Sequence, residues 1–509
     1  MLKALAALAS ALLGLHAGVA QVSPTAPQRI FVDWGKSQGP LKTTPSLQVV
    51  VNPLLRRGSP IHDRAFAELA SLGADYVRYV PWIPYPRLAV AELDAPTKDS
   101  TSWDFRLIDP MTIDFLSATR GHPAILNFST QPSWLFVQPK AVAVAADPDA
   151  VQWNYTQGKD LRDPSGAEMA DYYARLVSWY TQGGFTDELG HRHESGYHFR
   201  FPWWEVFNEI DGEHQPTPQE YVAEYDAIVS RLRAIDPQMK FVGLALAFPE
   251  RAPDMVEYFL DHQHHKPGIP IDMVSYHFYA APRFEQNVDS WQYTFFDQAD
   301  RFLATMRYAD AMRRRLSPET KVAFDEVGTE LPTDWHPDKP NDAGPAIPPI
   351  YWNASAALFG YIFLESEKMG IDLVNESQLV GFPSQFPSVT MLDWNTGEPN
   401  ARFEALRLLI RYVQSGGTMV GTRVFPHDHD VDALAFTEDG VHRLLIVNRR
   451  NRSIPVQVPE EFVGGAIHVV APGKQPAALT ANEYVLPPFA VSVLEAAMGT
   501  RTVKSQPAK

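Results

Sequence analysis

The stretch Phe201-Pro-Trp-Trp-Glu-Val-Phe-Asn-Glu209 is a short apolar and aromatic run that ends in an Asn-Glu pair. A second stretch, Lys321-Val-Ala-Phe-Asp-Glu326, repeats this pattern much later in the chain. Each run has the length and composition of a buried strand that delivers a carboxylate near its end. Two carboxylates on separate strands are what retaining cleavage of a glycosidic bond requires, with carboxyl groups about 5–5.5 Å apart.

Strand-like runs alternate with amphipathic helical patterns from residue 46 to residue 415, which is typical of a parallel βα fold. The predicted strands are Leu47–Val51, Tyr76–Val80, Ala124–Phe128, Trp203–Phe207, Phe241–Leu244, Met273–His277, Val322–Phe324 and Leu373–Asn375. The predicted helices are residues 60–72, 109–120, 167–182, 218–234, 252–263, 297–314, 352–368 and 400–414. Eight such units predict an α/β fold, a closed (β/α)8 TIM barrel over residues 46–415. A doubly wound open sheet is the alternative, but the chain has no Gly-rich phosphate loop.

The pattern changes after Gly416, where short strands are separated by turns and no helical period is visible. This pattern predicts an antiparallel β-sandwich over residues 416–497. The preceding segment, residues 21–45, contains Arg29–Trp34, which is predicted to add a strand to that sandwich. The polar tail, residues 498–509, is predicted to be disordered.

Residues 1–20 have the pattern of a secretory signal peptide, with Lys3, the apolar run Ala4–Leu15 and the small-residue site Gly18-Val-Ala20. The apolar run is too short to span a membrane, so no membrane insertion is predicted. The chain contains no cysteine, which excludes disulfides and thiolate chemistry. We therefore expect an exported protein, in a bacterial periplasm or secreted, that begins near Gln21 after cleavage.

The formal net charge of −16 argues against nucleic acid as a partner, because phosphate binding requires clustered Lys and Arg. The sequence has no HExxH pattern, and its paired histidines lack matching carboxylates, so no metal site is predicted. It also has no GxSxG nucleophile elbow, which removes the common esterase hypothesis. No cofactor is expected, and the oligomeric state is left open.

Glu209 would follow the fourth predicted strand, and Glu326 would terminate the seventh. In a closed ring of eight strands these two positions face one another across the mouth, so both carboxylates can point into one cavity. A glutamate taken alone is ordinarily an exposed or salt-bridged loop residue. The shared placement, with Asn208 and aromatic neighbours alongside, favours catalysis.

The motif Trp204-Glu-Val-Phe-Asn-Glu209 resembles the acid/base motif of retaining glycoside hydrolases of the large (β/α)8 clan. In particular it is similar to glycoside hydrolase family 39, the β-xylosidase and α-L-iduronidase family, which has a Glu-Val-Trp-Asn-Glu-Pro pattern. The resemblance covers most of the barrel and includes a trailing β-sandwich. It implies that Glu209 is the acid/base, that Asn208 hydrogen-bonds the sugar 2-hydroxyl, and that Glu326 is the nucleophile.

Two positions depart from the family pattern: Ile210 replaces the usual proline, and Asp325 stands where threonine is commoner. Arg78, in the second predicted strand, fits a cation that keeps the nucleophile charged, and a structural ion pair with a barrel carboxylate such as Glu205 fits equally well. His277 and Tyr279, at the end of the sixth predicted strand, resemble the family residues that orient the nucleophile.

Sugar binding requires aromatic faces together with convergent hydrogen-bonding groups. The candidates are Trp82, Trp134, Trp335 and Trp394, and the alternative for each is packing in the core or in a loop. Trp134 and Trp394 are favoured because both follow strand ends.

The sequence therefore predicts a retaining glycoside hydrolase, an exo-acting β-glycosidase similar to β-xylosidases, that cleaves oligosaccharides by double displacement. Few Lys and Arg lie near the strand ends, which favours a neutral pentose or hexose over an acidic sugar. The alternatives are an endo-acting glycanase of the same clan and a non-catalytic carbohydrate-binding barrel.

Overall fold

A computed structural model describes residues 27–155, 158–283, 285–334, 346–383, 385–427, 429–473, 475 and 477–497. It contains a closed barrel of eight parallel strands and a separate, mainly antiparallel sheet of eight strands, which confirms the predicted fold class. The predicted signal peptide, the predicted tail and Trp335 lie outside the described residues. Within the described ranges, no helix combines the length and apolar character that a membrane span requires.

The strands are β1 (Gln28–Pro40), β2 (Thr44–Val50), β3 (Val77–Val80), β4 (Ala124–Leu126), β5 (Gly184–Thr186), β6 (Arg192–Glu194), β7 (Trp203–Glu205), β8 (Lys240–Leu246), β9 (Met273–Ala280), β10 (Lys321–Thr329), β11 (Leu373–Glu376), β12 (Thr418–Phe425), β13 (Val431–Glu438), β14 (Val441–Asn448), β15 (Ile454–Gln457), β16 (Ala466–Val470), β17 (Glu483–Leu486) and β18 (Val491–Ala497). The barrel order is β2-β3-β4-β7-β8-β9-β10-β11, closed by pairing of β11 with β2. Strands β5 and β6 form a separate hairpin.

The α-helices are α1 (His62–Leu72), α2 (Asp109–Ala118), α3 (Ala167–Thr181), α4 (Ile210–Glu213), α5 (Pro218–Arg233), α6 (Pro253–Leu260), α7 (Val288–Leu316), α8 (Pro349–Met369) and α9 (Ala401–Tyr412). Each predicted helix has an observed counterpart. Helix α7 begins at Val288, nine residues before the predicted start at residue 297. Its first turn is capped by Asn287, whose side chain accepts from the backbone N–H of Ser290. The short helix α4 was not predicted.

The barrel interior changes from apolar to polar along the strands. An apolar layer is formed by Ile125, Trp203, Val242, Met273, Ala323 and Leu373. Side chains two residues further along a strand point to the same face. On five of these strands those positions hold buried polar residues, namely Asn127, Glu205, Ser275, Asp325 and Asn375. The polar layer forms the floor beneath the cavity described below.

Strand β10 does not end at Glu326, as predicted, but continues to Thr329. Its register against β9 shifts between Phe324 and Glu326, because Phe324 pairs with Tyr276 while Glu326 pairs with His277. The extra residue in this β-bulge is Asp325. Bulges re-aim side chains, and here two consecutive acidic residues both reach the barrel interior.

The second domain is one sheet with the order β16-β18-β14-β13-β12-β1-β15-β17. Strand β1 lies between β12, to which it is antiparallel, and β15, to which it is parallel. The sheet surrounds a small apolar core of its own. Its other face packs on the barrel, where Val491 lies so close to α8 that a Cβ on Gly360 would be 3.1 Å from a Val491 methyl carbon.

Candidate active site

The segment after β7 delivers two polar side chains to a cavity at the carboxyl ends of the barrel strands. Phe207 and Glu209 have φ values of 66° and 43°, in the left-handed region. Such a conformation costs an L-residue on the order of 1–3 kcal/mol and persists where the surrounding structure imposes it. It places Asn208 and Glu209 side by side in the cavity lining, with helix α4 starting immediately afterwards.

The two predicted carboxylates meet in this cavity. Carboxylate oxygens of Glu209 and Glu326 and a ring nitrogen of His277 all lie within 4.8 Å of one another. The Nδ1 atom of His277 is 3.0 Å from Glu209 Oε1 and 3.6 Å from Glu326 Oε2. Two acidic groups and one imidazole therefore converge on the same point.

Three such groups could in principle ligate a metal ion, and they form the one candidate set found in the described part of the chain. Burial lowers the pKa of His277, but the neighbouring Glu326, Asp325 and Glu209 outweigh this and raise it well above its ordinary value. A protonated imidazole has no lone pair to offer a metal. The electrostatics thus favour a hydrogen-bonding cation at His277 over a metal ligand.

Glu326 is held by two donors. Arg78 Nη1 donates to Oε1, and the hydroxyl of Tyr279 donates to Oε2 at 2.7 Å. The same hydroxyl forms a 2.5 Å hydrogen bond with Ser377 Oγ. These two donors fix the direction of the Glu326 oxygens.

Arg78 is fully buried and contacts both the carboxylate of Glu326 and the barrel carboxylate of Glu205. Its Nε donates to Glu205 at 2.5 Å, its Nη2 donates to Asn208 Oδ1 at 2.7 Å, and its Nη1 reaches Glu326. Burial lowers the pKa of Arg78, but Glu205, Asp325 and Glu326 raise it far above its ordinary value. The guanidinium therefore connects Glu205, in the polar floor, to Asn208 after β7 and to Glu326 on β10.

Asp325 lies beneath the site between two cationic groups. Its oxygens are 3.4 Å from Arg78 Nε and 3.4 Å from His277 Nε2. Burial raises its pKa, but Arg78 and His277 outweigh this and hold it well below the usual range. Burial, and to a smaller extent Asp325, raise the pKa of the adjacent Glu205 to about 8, although Arg78 lowers it. Asp325 thus supplies a negative charge between Arg78 and His277.

Replacing Asp325 with asparagine is expected to lower the free energy of unfolding at pH 7 by about 3–5 kcal/mol, because Arg78 and His277 lose a buried counter-ion. The pKa of Asp325 is depressed in the folded state, so its contribution is present above about pH 4 and is lost as pH falls. Urea unfolding followed by tryptophan fluorescence measures this, with Asp99→Asn, at a site 78% exposed, as the control. Equal stability of the two variants at pH 7 would contradict the assignment.

Glu213 is a site residue that the sequence reasoning missed. Its Oε1 accepts from Asn208 Nδ2 at 2.8 Å and from Trp82 Nε1 at 2.7 Å. Burial, followed by the charge of Glu209, raises its pKa to about 8. Arg78 donates to the oxygen of the Asn208 amide and Glu213 accepts from its nitrogen. The two residues together therefore fix the orientation of this amide. The spacing of four residues from Glu209 to Glu213, one helical turn, was the available signal.

Three aromatic rings from separate loops close one side of the cavity. Trp82 follows β3, Trp153 follows β4 and Phe386 follows β11, and all three line the cavity. Their ring centroids are 5.5 to 6.1 Å apart. Gln48, on β2, lines the same side and accepts from Arg78 Nη1 at 2.8 Å. We call these three rings the aromatic wall.

Trp134 and Trp394, the two favoured tryptophans, are not among the residues that line the cavity. A 3₁₀ turn over Ser133–Leu135 directs the indole of Trp134 elsewhere, so that its N–H donates to the backbone oxygen of Glu92 at 2.9 Å. The guanidinium of Arg162 covers its ring at 5.0 Å. Proximity to a strand end therefore did not predict the direction of the ring.

No protein-family model and no curated protein matches the chain. Solved structures resemble it over nearly its whole length. A glucosidase from Croceicoccus marinus has a TM-score of 0.60 at 13% identity, over 93% of this chain and 99% of that one. An α-L-arabinofuranosidase from Thermotoga maritima has a TM-score of 0.58 at 14% identity, over 92% and 100%. A monomeric β-xylosidase from Caulobacter crescentus has a TM-score of 0.55 at 15% identity, over 92% of this chain and 99% of that one. At such low identity the likeness establishes a shared fold alone.

Proposed function

We propose that the protein is a retaining glycoside hydrolase in which Glu326 is the nucleophile and Glu209 is the acid/base. One observation carries this proposal: one oxygen of each carboxylate lies within 4.8 Å of an oxygen of the other in one cavity. Retaining enzymes have carboxyl groups about 5–5.5 Å apart, whereas inverting enzymes need about 6.5–9.5 Å to admit a water. The fold shared with known glycosidases supports glycosidase activity.

In the first step a carboxylate oxygen of Glu326 attacks the anomeric carbon, and the bond from that carbon to the leaving oxygen breaks. Glu209 transfers its proton to the leaving oxygen, so the aglycone departs as a neutral alcohol. In the second step Glu209 takes a proton from water as the water oxygen attacks the same carbon. The ester to Glu326 breaks, and both carboxyl groups return to their starting states.

The acid needs a proton at neutral pH while its partner is ionised, so their surroundings must differ. Burial raises the pKa of Glu209, although its hydrogen bond to His277 and the charge of that imidazolium lower it. Glu326 instead faces Arg78 and Tyr279, which donate to its two oxygens. These different partners suit Glu209 to the role of acid/base and Glu326 to that of nucleophile.

Exo-action on a neutral β-glycoside, as in β-xylosidases, is the form of this activity that we propose. The aromatic wall stands across the side of the cavity that holds Gln48 and Asn208, where the sugar ring would bind. A chain of further sugar units on that side would meet Trp153 and Phe386. Membership of family 39 is part of the same proposal and is supported by the motif ending at Glu209.

Turnover of a panel of 4-nitrophenyl β-glycosides by the wild type and by Glu326→Ala tests the proposed function. We expect hydrolysis of at least one pentoside or hexoside by the wild type and none by the variant. With the matching oligosaccharide, a monosaccharide is expected as the first product, and early products of intermediate length would indicate endo-action. Sugar binding without any turnover would indicate the non-catalytic alternative.

Replacing Glu213 with alanine is expected to lower kcat/KM by about 10- to 100-fold, because the Asn208 amide and the Trp82 N–H lose a buried acceptor worth about 1–3 kcal/mol. The loss should be much smaller for a 2-deoxy glycoside, which has no 2-hydroxyl for Asn208 to bind. Glu213→Gln keeps an acceptor at Oε1 and serves as the control. Equal losses on both substrates would mean that Glu213 does not act through Asn208.

Export from the cytoplasm is also proposed, on the pattern of residues 1–20. Expression of the full chain in a Gram-negative host should give a periplasmic protein whose sequence begins near Gln21. A cytoplasmic product that retains residues 1–20 would contradict the proposal.

A further inference from the structure

The cavity extends well beyond the two carboxylates. Its volume is about 720 Å³. Cavities of about 300–1,000 Å³ hold ligands the size of drug molecules, which are larger than a single sugar ring. The space therefore accommodates a leaving group as well as a sugar.

The catalytic pair divides the barrel ring into two sides. Strands β8 and β9 lie between β7, which precedes Glu209, and β10, which carries Glu326. The remaining strands, β11, β2, β3 and β4, lie on the other side and carry Gln48 and the aromatic wall. The second side has the amide groups and ring faces that a sugar requires.

Alongside polar residues, the loop after β8, strand β9 and helix α7 supply six apolar residues to the first side. These are Ala247, Phe248, Pro249, Phe278, Phe302 and Ala304. The rings of Phe278 and Phe302 stack at a centroid distance of 4.7 Å. We call this surface the apolar wall.

Polar side chains on the apolar wall are largely engaged with the protein itself. Both amide atoms of Gln298 bond to the backbone of Ala281, each at 2.9 Å. Arg301 pairs with Asp297 at 2.7 Å. Glu250 pairs with Arg251 at 3.3 Å, and Thr305 donates to the backbone oxygen of Arg301 at 3.2 Å, so these polar groups also have protein partners.

The apolar wall is tied directly to the helix that begins at the proposed acid. The carboxylate of Asp211, on α4, accepts from the backbone N–H of Ala247 at 2.9 Å and of Phe248 at 2.7 Å. Glu209 must lie beside the leaving oxygen in order to protonate it. In the proposed mechanism this sets the leaving group beside the wall that contains Phe248, whose side chain is 41% exposed.

We propose that the leaving group is a hydrophobic alcohol or phenol rather than a second sugar, so that the substrates are glycosides with an apolar aglycone. This inference rests on the proposed glycosidase function and specifies the chemistry of its leaving-group site. Burial of the aglycone against the apolar wall supplies binding that a hydrated sugar would not gain there.

Methyl, n-butyl and n-octyl β-glycosides of the sugar preferred in the aryl panel test the inference below their micellar concentrations. The three have the same bond to be cleaved and differ in apolar surface. We expect kcat/KM to rise at least tenfold from methyl to octyl, and the octyl compound to react faster than the disaccharide of the same sugar. Phe248→Asn should reduce the octyl-to-methyl ratio at least fivefold, whereas Phe31→Asn, at a phenylalanine 49% exposed on the other domain, should not change it.

Equal rates for methyl and octyl glycosides, or preference for the disaccharide, would overturn the inference and leave the glycosidase function intact. An unchanged ratio in Phe248→Asn would remove the apolar wall as its cause. Absence of turnover on every alkyl, aryl and sugar-linked substrate would instead overturn the proposed function itself.

Discussion

Glu326→Gln is expected to lower kcat/KM for an aryl β-glycoside by at least about 10⁴-fold, since an amide oxygen forms no stable ester with the anomeric carbon. The glutamine oxygen can still accept from Arg78 or Tyr279, which hold the present carboxylate, so the native fold should persist with a lower free energy of unfolding. Steady-state kinetics measures the loss, and circular dichroism checks the fold. Glu257→Gln, at an exposed glutamate on α6, is the matched control.

Glu326→Ala adds a test that an inactive protein alone does not give. The shortened side chain leaves room for azide, which should attack the anomeric carbon from the vacated face and release an α-glycosyl azide from a β-glycoside. Activity of Glu326→Gln within tenfold of the wild type would contradict the nucleophile assignment. A β-configured azide product from Glu326→Ala would contradict it as well.

Glu209→Ala is expected to lose most activity on substrates whose leaving group must be protonated as it departs. Loss of general acid catalysis costs about 10²- to 10⁴-fold, so an alkyl glycoside should show nearly the full loss. A dinitrophenyl glycoside, whose leaving group departs without a proton, should keep a nearly normal first step and accumulate the glycosyl ester. Azide should then accelerate turnover and yield a β-glycosyl azide.

The pH profile checks the same assignment. Burial raises the pKa of Glu209, and the first step uses its protonated form, so the wild-type rate should fall as pH rises through that raised pKa. Glu209→Ala should lack this alkaline limb with the dinitrophenyl substrate. A loss that is the same for alkyl and dinitrophenyl glycosides would show that Glu209 is not the acid.

The fold was predictable because the hydrophobic pattern of each strand and helix is contained in its own short stretch of sequence. Each βα unit reports its own strand and helix, and barrel closure follows from their number and order. The proximity of Glu209 and Glu326 was also predictable, because the positions of the fourth and seventh strands in a closed ring are fixed. The prediction that Glu326 terminates its strand was wrong, because the bulge at Asp325 depends on pairing with β9 that no local pattern encodes.

Side-chain direction in loops was the part that sequence could not supply. Trp134 and Trp153 both lie in the long connection after β4, yet Trp153 lines the cavity while Trp134 packs against Arg162. Glu213 and Gln48 were missed for a related reason, since a lone glutamate or glutamine becomes informative once its partners are known. Both were close to recognised positions, one turn after Glu209 and within a buried strand.

Asp325 and Glu326 balance the charge of two buried cationic side chains. Arg78 and His277 are almost fully buried, and positive charge is costly there unless anions compensate it. Asp325 and Glu326 contact both cations. The proposed nucleophile is therefore part of the charge balance on which the barrel interior depends.

Covalent trapping tests the double-displacement scheme most directly. The protein is incubated with a 2-deoxy-2-fluoro β-glycoside carrying a dinitrophenyl leaving group, digested with protease, and sequenced by tandem mass spectrometry. The scheme predicts one fluoroglycosyl group, attached to Glu326. Attachment to any other residue, or steady turnover that releases inverted sugar with no labelled peptide, would contradict it.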